Sequence, residues 1–153
     1  MNFASLVATG FGTGRLPAAP GTWGSLAALP VAWLLVSAGG APLLAAAAAV
    51  TSLVGWWASA AYLRTSDSGG DPGEVVIDEI AGQWIALLFA PHTLTAYALA
   101  FALFRLFDIW KPWPVGWADR NLPGGRGVMA DDLLAGVYAA LGTAVVLWGW
   151  AQV

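Results

Sequence analysis

Paired carboxylates stand where each of two polar stretches meets an apolar segment of the sequence. The four acids are Asp78, Glu79, Asp131 and Asp132. A glycine, Gly82 or Gly136, follows one acid of each pair by four residues, and a glycine at that place lets a second helix pack closely. Capping of helix N-termini explains one acid in each pair but not both. We therefore expect the paired acids to face a shared cavity.

A fifth acid, Asp108, lies in an aromatic segment together with two basic residues. Arg105, Asp108 and Lys111 are spaced three residues apart, which places them on one face of a helix. A salt-bridge ladder has the same spacing, but charges in so apolar a helix near a membrane are costly and indicate function. Mg²⁺ prefers oxygen ligands and is usually held by a few carboxylates together with substrate phosphates. The predicted catalytic groups and Mg²⁺ ligands are Asp78, Glu79, Asp108, Asp131 and Asp132.

Two further segments have features that suit a phosphate group. The stretch 20–25 can offer backbone N–H groups at a helix start together with the hydroxyls of Thr22 and Ser25, although a capped helix without a ligand explains it equally well. The glycine-rich stretch 124–127 either places Arg126 over a phosphate or forms an ordinary turn. The predicted phosphate-binding residues are Thr22, Ser25, Arg105, Lys111 and Arg126.

The composition excludes several kinds of phosphatase and partner. The chain has no cysteine, so a cysteinyl-phosphate mechanism is excluded. Its one histidine, His92, cannot supply the two that a histidine-based lipid phosphatase usually needs, and no Asp-x-Asp-x-Thr motif is present. A net charge of −3 argues against nucleic acid, whose backbone is bound by dense Lys/Arg patches. Among the mechanisms for hydrolysing a phosphate ester, metal-assisted attack of water on the phosphorus remains.

The elements that must position these residues are apolar. The sequence is 59% hydrophobic and 10% charged, with a mean hydropathy of +0.70. Uncharged spans of 48, 25 and 21 residues cover 16–63, 80–104 and 133–153. Spans of this length are typical of membrane helices. We predict one all-α domain over 1–153, a polytopic membrane protein with a compact bundle of about 5–6 helices.

Glycines, prolines and polar residues mark the expected helix ends. Thr22 is the predicted N-cap of a helix over 23–37 that ends at Gly39-Gly40, and Pro42 opens a second helix to about Leu63. Polar loops are expected over 64–77 and 111–130. The last helix is predicted to run from Asp131 or Asp132 to about Trp150.

The segment 78–110 allows two topologies, because Pro91 interrupts it. It either crosses the membrane once as a kinked helix or folds back as a hairpin of two short helices. Only the hairpin brings Glu79 and Asp108 to the same side. It also gathers the basic residues of the N-terminal stretch and the two polar loops on one face, which the positive-inside rule makes cytoplasmic. We expect the site at that interface.

A series of motifs resembles the phosphatidylglycerophosphatase A family over roughly residues 9 to 136. The motifs are Pro20-Gly21-Thr22-x-Gly24-Ser25, Asp78-Glu79-x-x-Gly82, Lys111-Pro112-Trp113-Pro114, Asp119-Arg120 and Gly124-Gly125-x-Gly127-x-Met129-x-Asp131-Asp132. The resemblance implies a Mg²⁺-dependent phosphatase of the bacterial inner membrane that converts the phospholipid phosphatidylglycerophosphate to phosphatidylglycerol. It also implies an all-helical fold in which helices surround a central one.

Two other functions use similar residues. A membrane phosphotransferase that joins a CDP-activated lipid to an alcohol also uses interfacial acids and Mg²⁺, but its Asp-x-x-Asp-Gly-x-x-Ala-Arg motif is absent here. A Mg²⁺ channel or transporter would place ionisable groups near the middle of the bilayer. In this chain the acids stand at the ends of apolar segments, which favours the phosphatase.

Overall fold

A computed structural model describes residues 3–65 and 73–152, and all the regular structure in these ranges is helical. The elements in chain order are α1 (Phe3–Ala8), a 3₁₀ helix (Gly10–Arg15), α2 (Pro20–Thr65), α3 (Ile77–Ala86), α4 (Leu94–Trp110), α5 (Val115–Asn121) and α6 (Gly125–Trp150). The all-α prediction is confirmed. Half of the polar loop predicted over 64–77 falls on residues 66–72, which lie outside the described ranges.

Helix α2 is broken where the sequence predicted two helices. Gly39 and Gly40 have non-helical backbone angles, and Gly40 has a φ of 66°, which a residue with a side chain rarely adopts. The predicted start at Thr22 is wrong, because the helix begins at Pro20, whose fixed φ suits the first helical position. The Thr22 N–H donates to the carbonyl of Ala19 at 2.9 Å, so Thr22 lies within the first turn.

Two helices are long and apolar enough to cross a membrane. They are Pro20–Arg64 within α2 and Gly125–Trp150 in α6. Only 11% and 28% of their most apolar windows are buried inside the protein. Large apolar side chains such as Leu34, Leu53 and Val145 are about two-thirds exposed. These surfaces are unlike the core helices of a water-soluble domain and indicate association with a membrane.

The segment around Pro91 reverses the chain. Helix α3 ends at Ala86, and α4 begins at Leu94 with Thr93 as its N-cap, whose hydroxyl accepts from the Ala96 N–H at 3.3 Å. The first turn of α3 and the last turn of α4 line the same cavity. The hairpin alternative is therefore confirmed and a single kinked crossing is wrong.

Helices α3 and α6 approach each other closely at two glycines. A Cβ added to Gly82 would lie 2.6 Å from the carbonyl oxygen of Asp132, and one added to Gly136 would meet the carbonyl of Gly82. The close packing predicted from these glycines is confirmed. It brings the first turn of α3 against the segment of α6 that carries the second acidic pair.

The second polar stretch is more ordered than predicted. It contains α5, and α6 begins at Gly125, six residues before Asp131. Gly124 has a φ of 63° and precedes the helix without a side-chain cap. The N-cap of α3 is Val76. Neither acidic pair therefore caps a helix. Asp78 and Glu79 lie in the first turn of α3, where the helix dipole favours acidic side chains, whereas Asp131 and Asp132 lie beyond the first turn of α6.

Candidate active site

Four helices meet at a cavity of about 350 Å³. The first turn of α2 and the first turn of α3 lie on its walls with the end of α4 and the second turn of α6. Its charged lining residues are Asp78, Glu79, Arg105, Asp108, Lys111, Asp131 and Asp132. The structure thus brings together all five acids that the sequence singled out and two of the three basic residues.

Three of the acids are arranged as a cation site. One carboxylate oxygen from each of Asp78, Glu79 and Asp132 lies within 4.8 Å of the other two. Opposite ligands of an octahedral Mg²⁺ are about 4.2 Å apart, because each Mg²⁺–oxygen distance is about 2.1 Å. The three oxygens therefore need to move by less than about an ångström to coordinate one ion. Asp78 and Asp132 are about 5% exposed, so the site is shielded from bulk water.

Several carboxylate oxygens at the cavity are buried and unpaired. Glu79 Oε2, Asp131 Oδ1 and Asp132 Oδ1 have no hydrogen-bond partner among the described residues. Burying an ionised carboxylate without a partner is costly. A divalent cation would supply the missing partner, so the donor set fits Mg²⁺.

Burial raises the pKa of Glu79 above its usual value, and the neighbouring charge of Asp108 raises it further. A hydrogen bond with Asp78 and the Arg105 guanidinium act in the opposite direction, but they do not outweigh burial. Without a cation, the carboxylate of Glu79 therefore holds a proton more readily than the carboxylate of an exposed glutamate does. Binding of a cation would displace that proton.

Arg105 and the start of α2 close one side of the cavity. The guanidinium of Arg105 forms an ion pair with Asp108 one turn along α4, and both side chains are about one-seventh exposed. A Cβ added to Gly21 would overlap the Glu79 carboxylate and lie 3.2 Å from Arg105 Nη1. Glycine at this position therefore lets the backbone of α2 approach the acidic cluster.

Lys111 joins two acids on different helices. It ends α4 in the left-handed conformation, with a φ of 50°, and its Nζ lies 2.7 Å from both Asp119 Oδ1 and Asp131 Oδ2. Burial by itself would lower the pKa of Lys111, but the two carboxylates raise it above its usual range. Lys111 is therefore a permanent cation at the cavity.

Asp119 contacts this network although it was not among the predicted site residues. It lies on α5, within the stretch predicted as a loop. The signal that could have identified it is its presence in one of the family motifs, at Asp119-Arg120.

Three of the predicted phosphate-binding residues lie outside the cavity lining. Ser25 is fully buried and its hydroxyl donates to the Gly21 carbonyl at 2.8 Å, so it stabilises the first turn of α2. Thr22 is on the same turn but does not line the cavity. The Arg126 guanidinium stacks over the Trp56 ring, 5.3 Å from its centroid, because α6 has already begun there and directs this side chain to another surface. The geometry supports none of the three as phosphate ligands.

Comparison with known proteins points to one family. The family model for phosphatidylglycerophosphatase A matches residues 6–147. A phosphatidylglycerophosphatase A of Escherichia coli is 41% identical over 137 residues, covering 88% of this chain and 78% of its own. The protein of the same name from Haemophilus influenzae is also 41% identical, over 143 residues, covering 92% and 86%.

A further relative carries a different name. This protein, from Bacteroides thetaiotaomicron, is 43% identical over 152 residues, which cover 94% of this chain and 92% of its own. It is provisionally named a phosphatidylinositol-3-phosphatase. No solved structure matches the chain significantly.

Proposed function

The chain belongs to the phosphatidylglycerophosphatase A family and is a phosphatase, and on this premise we propose that it hydrolyses the phosphomonoester of phosphatidylglycerophosphate, giving phosphatidylglycerol and phosphate. The family prediction made from the motifs is confirmed. The relatives favour neither a Mg²⁺ channel nor a phosphotransferase. The observation that carries the proposal is that five carboxylates and two basic side chains line one cavity.

Mg²⁺ is the proposed cofactor. Asp78, Glu79 and Asp132 would hold it, since their oxygens are grouped within 4.8 Å, and Asp108 and Asp131 stand beside them on the cavity wall. When bound, the ion would polarise the phosphoryl oxygens and lower the pKa of a nearby water.

The remaining charged groups would neutralise the phosphate and accept the proton of the attacking water. Arg105 and Lys111 neutralise the charge that grows on the phosphoryl oxygens, and a fixed cation helps most where charge develops in the transition state. Asp131 accepts from Lys111 through Oδ2, and its Oδ1 is buried without a partner among the residues described. We assign Oδ1 as the acceptor for the proton of the attacking water.

The membrane position follows from where the charges lie relative to the long helices. We propose that α2 and α6 span the bacterial inner membrane and that the cavity opens at its cytoplasmic surface. Lys111 lines the cavity at the end of α4, and Arg15 pairs with Glu74, whose neighbours Gly73 and Val75 line the cavity; the positive-inside rule expects such basic residues on the cytoplasmic side. A phospholipid could then present its phosphate to the cavity while its acyl chains stay in the bilayer.

The test is phosphate release by the purified protein in detergent micelles. We expect release from phosphatidylglycerophosphate, its abolition by EDTA and its recovery with excess Mg²⁺. Asp132→Asn should abolish turnover, whereas Glu74→Gln, at an exposed acid outside the cavity lining, should retain it. Phosphatidylinositol 3-phosphate and phosphatidate are the comparison substrates. Faster hydrolysis of either one would overturn the assigned substrate, and equal rates for the two variants would overturn the site.

A further inference from the structure

An apolar groove runs between the first half of α2 and the first half of α4. It has a volume of about 740 Å³. Leu29, Trp33 and Leu34 line it from α2, and Leu94, Tyr97 and Ala98 line it from α4. Leu34 and Leu94 are 67% and 77% exposed, so the groove opens sideways towards the surface that the long helices present to the membrane.

The groove and the catalytic cavity are lined by different stretches of the same two helices, α2 and α4. On α4, residues 94, 98, 101, 105 and 108 are separated alternately by four and three positions, which places them in one stripe. Arg105 and Asp108 at one end of this stripe line the cavity, and Leu94 and Ala98 at the other end line the groove. Helix α2 likewise carries Gly21 at the cavity and the groove residues further along.

The spacing between cavity and groove matches a phospholipid headgroup. Along α2, Leu29 lies about 12 Å from Gly21 and Leu34 about 20 Å, at about 1.5 Å per helical residue. In phosphatidylglycerophosphate about eleven bonds separate the reacting phosphorus from the first acyl carbon, a span of at most ~13 Å at ~1.2 Å per extended bond. With its phosphate in the cavity, the lipid would begin its acyl chain where the groove begins.

We propose that this groove binds one acyl chain of the lipid substrate and so sets the depth at which the headgroup enters the cavity. The inference rests on the proposed function. It assigns to Trp33 and Tyr97, whose rings are 5.2 Å apart, the wall against which the chain packs. His92 stacks on Trp33 with ring centroids 3.8 Å apart, at the end of the groove farthest from the acids.

A bulky side chain in the groove provides the kinetic test. The measured quantity is kcat/KM for dioleoyl phosphatidylglycerophosphate divided by kcat/KM for the same headgroup without acyl chains. Ala98→Trp should lower this ratio about tenfold, because a displaced acyl chain holds the phosphate away from its reactive position in the cavity. Val145→Trp is the matched control, since Val145 is also exposed, lies on α6 and does not line the groove. It should leave the ratio at the wild-type value.

A photoreactive substrate separates the substrate chain from ordinary membrane lipid. A phosphonate analogue of phosphatidylglycerophosphate with a diazirine near the start of one acyl chain should label peptides of α2 and α4 that line the groove. This labelling should fall at least fivefold in Asp132→Asn, because the headgroup is then held less firmly. Labelling that is equal in both proteins would overturn the inference, as would an Ala98→Trp ratio equal to that of Val145→Trp. If the wild-type protein released no phosphate from either substrate, the proposed function itself would fail.

Discussion

Substituting Gly82 by alanine should separate the two halves of the acidic cluster. The new Cβ would lie 2.6 Å from the carbonyl oxygen of Asp132 and 2.7 Å from Phe104 Cε2. Ordinary contact begins at about 3.4 Å, so α3 and α6 must move apart by about 0.8 Å. The atom that blocks the Cβ is backbone, which cannot swing aside as the end of a side chain can.

The expected cost is small for folding and large for catalysis. Overpacking lowers the free energy of unfolding by about 1–3 kcal/mol, and the higher helix propensity of alanine raises it by about 1 kcal/mol. Gly82→Ala should therefore lower the free energy of unfolding by about 1 kcal/mol. The same displacement moves Asp132 away from Asp78 and Glu79. A misplacement near 1 Å can reduce turnover about a hundredfold. We therefore expect kcat to fall between about tenfold and a hundredfold while the protein remains folded.

The assay is the initial rate of phosphate release as a function of Mg²⁺ concentration, with thermal unfolding followed by tryptophan fluorescence. Gly149→Ala is the matched control, because a Cβ at Gly149 of α6 would meet no atom within 4 Å. It should keep the wild-type rate. If Gly82→Ala had the wild-type rate and Mg²⁺ dependence, the close approach of α3 and α6 would not position the site.

Three other outcomes follow from the geometry. Asp119→Asn should lower kcat several-fold, because Lys111 is then held less firmly, and Asp119→Glu should restore part of the lost kcat. Equal kcat for Asp119→Asn and wild type would show that Lys111 is held without Asp119. Since the pKa of Glu79 is raised, protons should compete with the cation at a higher pH than they would at an exposed glutamate. The Mg²⁺ concentration for half-maximal rate should therefore increase as the pH is lowered, by up to about tenfold per pH unit for each proton displaced. A Mg²⁺ requirement that does not change as the pH is lowered would contradict the assigned ligand. Arg126→Ala should leave kcat/KM within about twofold of wild type, because Arg126 stacks on Trp56 away from the cavity. A loss of tenfold or more would show that Arg126 does contribute to phosphate binding.

The sequence predicted those features of the site that depend on local spacing. The two acidic pairs and the glycines that follow them are short patterns, and the structure places them as expected at one helix-helix contact. The placement of Arg105 and Asp108 on one face depends on helical periodicity alone, and both line the cavity together with Lys111, which follows the last helical residue of α4. The helix break at Gly39 was likewise visible from residue type.

Features that depend on where a helix begins, or on contacts distant in sequence, could not be predicted in this way. Prolines 112 and 114 suggested a loop, yet they precede α5, which carries Asp119 to Lys111. The glycine-rich stretch before Met129 suggested a flexible turn for Arg126. Gly124, which has a positive φ, instead precedes a helix that begins at Gly125, and the orientation of that helix decides where Arg126 points.

Equilibrium binding of Mg²⁺ to the purified protein, measured by titration calorimetry, tests the central claim most directly. The wild-type protein and Glu74→Gln should bind the ion with the same affinity, at concentrations that match those activating phosphate release. Asp132→Asn should bind at least about tenfold more weakly, because it loses one of three grouped carboxylates. Equal affinities in all three proteins, or full phosphatase activity in EDTA, would contradict the account.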